Sequence, residues 1–192
     1  MTWRQVCKVT VGIVGDLCRM LEKDIVPYCD EIMTIFRNSV QSAELHRTVK
    51  PPILRAFGEI ALAIEENFGK YLQFTVVVLA EAATVSMQAM NDPDEDTVEY
   101  NDELRGAILE AYSGIVQGYL SPQTTQLPEM QVLLSSTERI IPFIASVASI
   151  QPVDHELVRN SLNTLGDLAS SLGQNSTVRQ MLAPFQSVSI FF

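Results

Sequence analysis

Apolar residues return every three or four positions from the start of the chain, at Val6, Val9, Ile13, Leu17 and Leu21. That spacing lays one stripe along a helix. Polar Gln5, Lys8, Asp16, Arg19 and Lys23 fall away from it. The same period recurs through Ile53, Phe57, Ile60, Ala61 and Ile64, through Leu104, Ile108, Ala111, Ile115 and Val116, and through Leu157, Leu162, Leu165, Leu168 and Leu172. Four amphipathic helices are predicted, each turning its stripe toward a core. The stretches between them, at about 24–40, 68–90, 128–149 and from about 176, also read as helices. The run Val76-Val77-Val78 suits a strand, but Ala80, Ala82, Ala83, Met87, Ala89 and Met90 carry it beyond strand length, so helix is predicted. Pro27, Pro142 and Pro184 each precede an aromatic residue and should mark a first turn or a bend, because proline removes a helical hydrogen bond.

A short motif repeats. Val14-Gly15-Asp16-Leu17-Cys18 matches Phe57-Gly58-Glu59-Ile60-Ala61 and Leu165-Gly166-Asp167-Leu168-Ala169, with a looser copy in Tyr112-Ser113-Gly114-Ile115-Val116. The interval from Gly15 to Gly58 falls within the period of about 40–47 residues typical of HEAT and armadillo helix pairs. The later intervals are longer and contain two polar insertions, an acidic inter-helix loop predicted at 91–99 and a Pro/Thr-rich break from Ser121 to Pro128. Glycine inside a helix costs about 0.5–1 kcal/mol relative to alanine, so each motif glycine is expected to allow close approach of the next helix. The fold expected is all-α, a HEAT-repeat α-solenoid of antiparallel helix pairs with about four repeats, residues 1–192 forming one array.

Charge narrows the partners. Lys and Arg total 13 against 23 Asp and Glu, a net charge of −10, which disfavours phosphate backbones and anionic lipid. Three unpaired-looking cysteines, Cys7, Cys18 and Cys29, suit a reducing compartment and read as small core hydrophobes. His46 and His155 stand apart and outside any metal-binding spacing, so neither metal nor cofactor is expected. His46 reads as a surface residue. No apolar run is long enough to span a membrane, and Met1 onward lacks the pattern of a signal peptide. Gly12-Ile13-Val14-Gly15 lacks the spacing of a dinucleotide or phosphate loop, and no nucleophile with its base is apparent, which argues against an enzyme.

Several stretches resemble the importin-β (karyopherin-β) nuclear transport receptors. They are Val11–Arg19, Pro27–Met33, His46–Leu54, Phe57–Ile64 and Glu110–Gly118, and together they look like that family's C-terminal HEAT repeats. The resemblance is close from about residue 5 to 120; beyond Ser121 it rests on the amphipathic pattern and Leu165–Ala169, and Ser187–Phe192 departs from a helical ending. It implies that the chain is part of a longer receptor working in cytoplasm and nucleus and at the nuclear pores. Such a receptor wraps the basic importin-β-binding segment of an adaptor, or a basic cargo, in an acidic superhelix. It also meets phenylalanine-glycine nucleoporins and releases cargo to GTP-bound Ran. The principal Ran site and best-known nucleoporin site of the family lie nearer its N-terminus, so neither is expected in this chain.

The residues expected to meet a basic ligand are Asp16, Glu59, Glu103, Glu110 and Asp167, which fall off the apolar stripes of the motif helices and would form a ladder across stacked repeats. The alternative is an ordinary solvated face. Asp92, Asp94, Glu95, Asp96 and Glu99 could clamp the same ligand or simply be solvated. Two other functions fit the chain: a structural HEAT scaffold without cargo exchange and, more distantly, an α-helical hydrolase subunit.

Overall fold

Helices start where the sequence supplies a cap or a proline. The computed structural model describes residues 2–88, 94–119 and 127–185. Helix α1 (Trp3–Leu21) opens on a capping box: Thr2 N donates to Gln5 Oε1 at 2.8 Å, and Gln5 N donates to Thr2 Oγ1 at 3.4 Å. Pro27 stands in the first turn of α2 (Val26–Gln41) and Pro51 in that of α3 (Lys50–Ile64), where no intrahelical N–H is forfeited. Then come α4 (Gly69–Gln88), α5 (Glu95–Tyr119) and α6 (Glu129–Ala148), the last with Pro142 inside it. Asp154 Oδ1 accepts from the amides of Glu156 and Leu157 at 2.7 and 3.0 Å to open α7 (His155–Leu172), and Asn175 opens α8 (Ser176–Leu182) in the same way. Pro184 lies in the 3₁₀ turn Ala183–Phe185 that follows. The described residues contain helices and turns and no strand; Val76 and Val78 are buried in the middle of α4.

The odd helices α1, α3, α5 and α7 pack side by side in one layer. The even helices form a second, in which α4, α6 and α8 are successive neighbours. Each of α2, α4 and α6 also packs across onto the odd helix that follows it, which is the HEAT pairing. The core runs between the layers, with Phe57 fully buried between Phe36 and Phe74 at 6.2 and 5.8 Å in edge-on contact. The α3–α5 junction is the tightest. A Cβ on Gly114 would stand 2.7 Å from the Gly58 Cα, and one on Gly118 would stand 2.3 Å from the Ala61 carbonyl oxygen, so only glycine lets these backbones meet. The α1–α2 and α3–α4 links are built alike: Glu22 (φ 48°) ends α1, Glu65 (φ 49°) ends α3, and each begins a 3₁₀ turn.

Three expectations are corrected. The α1 stripe of Val6, Val9, Ile13, Leu17 and Leu21 faces outward, 36–51% exposed, and α1 packs instead through Val11, Gly15 and Cys18. Periodicity finds the apolar face of a helix, but the neighbour that α1 has, α3, lies on its other side, where small residues fit. The stripes of α3 and α5 do face inward, as does that of α7 apart from the half-buried Leu162. The acidic segment predicted as a loop to 99 is helical from Glu95, because Asp94 caps α5: its Oδ2 accepts from the Thr97 amide at 3.0 Å and hydroxyl at 2.7 Å. Glu95 and Asp96 then sit in the first turn, where negative charge complements the helix dipole. Residues 91–93, like most of the 121–128 break and the ending 187–192, lie outside the described residues. Gly166 meets nothing within 4 Å of a built Cβ, so close approach does not account for that copy of the motif. Cys18 and Cys29 are buried and free, Cys7 half-buried. Burial pushes the Cys18 thiol up to about 12, leaving it protonated and inert.

Candidate functional site: an acidic groove on the odd layer

The residues expected to form a ladder lie on the odd layer: Asp16 on α1, Glu59 on α3, Glu103 and Glu110 on α5, Asp167 on α7. The structure shows what already holds them. Arg19 bridges Asp16 and Glu59 at 2.5 Å each, joining α1 to α3. Arg55 reaches across from α3 to α5, with Nε 3.0 Å from Glu110 and Nη1 3.6 Å from Glu103; Lys8 lies 3.9 Å from Glu103. Asn160 of α7 donates to the other Glu110 oxygen at 3.2 Å. Asp167 accepts from Ser113 and from Gln117, the latter at 2.9 Å. Each carboxylate therefore ties one odd helix to another, or lies beside a cation that does.

A groove of 540 Å³ opens where α3, α5 and α7 adjoin. Seven carboxylates line it, from Glu95, Glu99, Asp102, Glu103, Glu110, Asp154 and Glu156, and Arg55 is the one cation in its lining. A smaller cleft of 210 Å³ shares Arg55, Glu110 and Asn160 with it and extends past Glu59 and Gln117. Helix formation from Glu95 is what brings the two acidic features together, placing Glu95, Glu99, Glu103 and Glu110 on one helix flank at the spacing of helical turns. Glu95 and Glu99 make no hydrogen bond or ion pair among the described residues. Asp102 is committed to Arg105 at 2.7 Å, Asp154 to its capping bonds and Glu156 to Arg159 at 3.5 Å. Asp16 and Asp167 lie outside this groove, and Asp94 and Asp96 are exposed but do not line it.

Sequence reasoning missed three arginines. Arg19 and Arg55 stand three and four residues from acids of their own helices, yet both make ion pairs to a neighbouring helix, which single-helix periodicity does not register. Arg105 is buried, its side chain 3% exposed, and it donates to the Ser86 carbonyl at 2.6 Å in the last turns of α4. A cation there favours the helix C-terminus and pins the α5 segment that carries the groove acids. His46 is exposed, its Nδ1 accepting from the Thr48 amide at 3.3 Å, and slight desolvation together with the nearby charges of Arg4, Arg47 and Lys8 holds it below its usual range. Among the described residues no cluster of His, Cys, Asp and Glu could hold a metal ion, and no helix is long and apolar enough to cross a membrane.

Comparison with known proteins gives this architecture a family. The family described as importin subunit beta-1-like, TPR repeats, matches residues 2–187. The chain belongs to that family. Importin subunit beta-1 of Arabidopsis thaliana is 46% identical over 171 residues, covering 89% of this chain and 19% of the relative. A crystal structure of importin beta superposes with a TM-score of 0.77 at 30% identity, over 94% of this chain and 21% of that one. A structure of Kap95p with RanGDP gives 0.71 at 26% identity, over 88% and 19%. The HEAT-repeat solenoid is thus shared, and this importin-β-like chain spans about a fifth of the length of its relatives.

Proposed function

We propose that this chain is a segment of a nuclear import receptor and that it holds a basic stretch of protein, either an adaptor's importin-β-binding segment or a basic cargo, in the acidic groove of the odd layer. The observation that carries this reading is the groove lining itself, seven carboxylates against one guanidinium. A basic helix entering it would meet Glu95 and Glu99 unpaired and would compete with Arg55 for Glu103 and Glu110. Paired potentials of this kind raise association rates and select partners more than they add affinity. In this reading Ran and the phenylalanine-glycine nucleoporins contact other repeats of the receptor, which works between cytoplasm and nucleus.

The test is calorimetric titration of a Lys/Arg-rich helical peptide across a salt series. Glu95→Lys with Glu99→Lys should weaken binding by roughly an order of magnitude, and added salt should weaken it in the wild type. Reversal at Asp16, Glu59 and Glu110 together should weaken it too, but two of those residues hold Arg19 and one holds Arg55, so its melt must be compared alongside. One observation favours a structural scaffold instead: all five expected ladder carboxylates are already engaged within the array. If the Glu95/Glu99 variant binds unchanged while the triple variant loses its melt, the carboxylates are fasteners and the scaffold reading stands.

A further inference from the structure

The acidic groove has a basic end. The odd helices run parallel: Arg55 meets Glu103 early in α3 and α5, and Ala61 lies against Gly118 late in both. Asn160 and then Asp167 of α7 meet Glu110 and then Gln117 of α5, and α1 packs on the turn Arg47–Val49 that leads into α3. The first turns of these helices therefore share one rim. At α5 and α7 they carry Glu95, Asp96 and Glu156, which suit the positive end of a helix dipole. At α1 and α3 they carry no acid. Arg4 and Lys8 of α1 stand there instead, with His46 and Arg47 ahead of α3.

These four side chains gather at one place. The charges of Arg4, Lys8 and Arg47 all bear on the His46 ring and help to hold its pKa down. Few partners neutralise them. Arg4 is exposed and makes no hydrogen bond or ion pair among the described residues. Arg47 donates to the Asp96 carbonyl and to the Thr97 hydroxyl oxygen, each at 3.4 Å and so at the long end of the range, and its guanidinium lies 4.9 Å from the centre of the Tyr100 ring. All three of those partners are neutral. Lys8 has Glu103 at 3.9 Å, a carboxylate that Arg55 also approaches. Like charges beside positive helix ends oppose folding, and an incoming anion relieves that. The basic end is also continuous with the groove, because Glu103 lines it and Asp96 and Thr97 fall between its wall residues Glu95 and Glu99.

We propose that the ligand of the acidic groove is a segment whose charge changes sign along its length: a basic stretch over the groove, and at one end a few carboxylates that pair with Arg4, Lys8 and Arg47. The inference rests on the groove reading above and adds to it the order of the charges. A purely basic segment can invert or slide among seven carboxylates. A segment with an acidic end fits one way round, since the reversed orientation sets its carboxylates against those of α5 and α7. The chain's charge of −10 opposes an acidic end at long range, but at physiological salt that field is screened beyond about 8 Å, whereas direct contact with the three cations is not.

The probes are three helical peptides, a Lys/Arg-rich core alone and the same core with Glu-Glu-Glu before it or after it, titrated calorimetrically into the chain. Added glutamates lower the positive charge of a peptide, so attraction to the groove alone predicts weaker binding of both extended forms. The expected result is that one of them binds roughly fivefold tighter than the plain core and the other weaker. Arg4→Glu should abolish that preference, and its melting temperature should hold or rise, because glutamate suits the first turn of α1. Bound carboxylates favour a charged ring beside them, so the favoured peptide should raise the His46 pKa, read by NMR. Binding of the plain core with no difference between the two extended peptides, a preference that survives Arg4→Glu, or an unmoved His46 overturns the sign change and leaves the groove reading standing. No binding by any of the three overturns both.

Discussion

The α3–α5 and α1–α3 junctions carry the same glycine motif and use it differently. At α3–α5, Gly58 and Gly114 bring two backbones into contact, flanked by the buried side chains of Phe57, Ala111 and Ile115. At α1–α3, a Cβ on Gly15 would overlap the carboxylate of Glu59, so the glycine makes room for a charged side chain that Arg19 then grips from α1. A repeated sequence motif therefore fixes where a glycine sits and leaves open what lies against it. The α3–α5 junction is closed chiefly by backbone packing, with Arg55 bridging to Glu110 at its edge, and the α1–α3 junction leans more on partly exposed ion pairs, which salt weakens.

Substitution at the glycines tests this most sharply. Among the motif glycines Gly15, Gly114 and Gly166, Gly114→Ala should be the most damaging, because its Cβ would stand 2.7 Å from the Gly58 Cα and backbone cannot step aside as a side chain can; a loss of about 3 kcal/mol in urea unfolding is expected. Gly15→Ala should cost less, about 1 kcal/mol, since the Glu59 carboxylate can swing away and forfeit its pairing with Arg19. Combining it with Glu59→Ala should recover most of that loss, and a double-mutant cycle without such coupling would remove the distinction between the junctions. Gly166→Ala, with open space around it, should stabilise by about 0.5 kcal/mol through helix propensity alone.

Sequence periodicity revealed the odd helices and the inward faces of α3, α5 and α7, because long side chains recurring at helical spacing have few other ways to be buried. It misread α1, where Trp3, Ile13 and Met20 are exposed while Val11, Gly15 and Cys18 pack. It also placed Glu95 and Glu99 in a loop, since a cap by Asp94 depends on one local hydrogen bond rather than on a repeating pattern. Of the groove acids, Glu103 and Glu110 were legible as off-stripe residues. Arg19 and Arg55 were not, because ion pairs between helices some 40 to 55 residues apart leave no local signature.

The even layer offers the smallest test. Asp30 on α2 accepts from Lys70 at 2.7 Å and from Tyr71 at 2.6 Å on α4, and these bonds hold its carboxyl below the ordinary range. A carboxylate with a lowered folded-state pKa contributes stability above its unfolded value, lost as pH falls through the folded one. Asp30→Asn should therefore be slightly less stable near neutrality and show a shallower loss of melting temperature below about pH 4.

Glu59 and Glu65 give α3 a mechanical asymmetry. On the α1 side they are gripped by Arg19 at 2.5 Å and Lys23 at 2.8 Å, exposed tethers that can lengthen or let go one at a time. On the α5 side the glycine contact has no slack. Bending of the array is therefore expected to concentrate between α1 and α3, where raising ionic strength should soften it, with α3, α5 and the even helices crossing them expected to move as one lever.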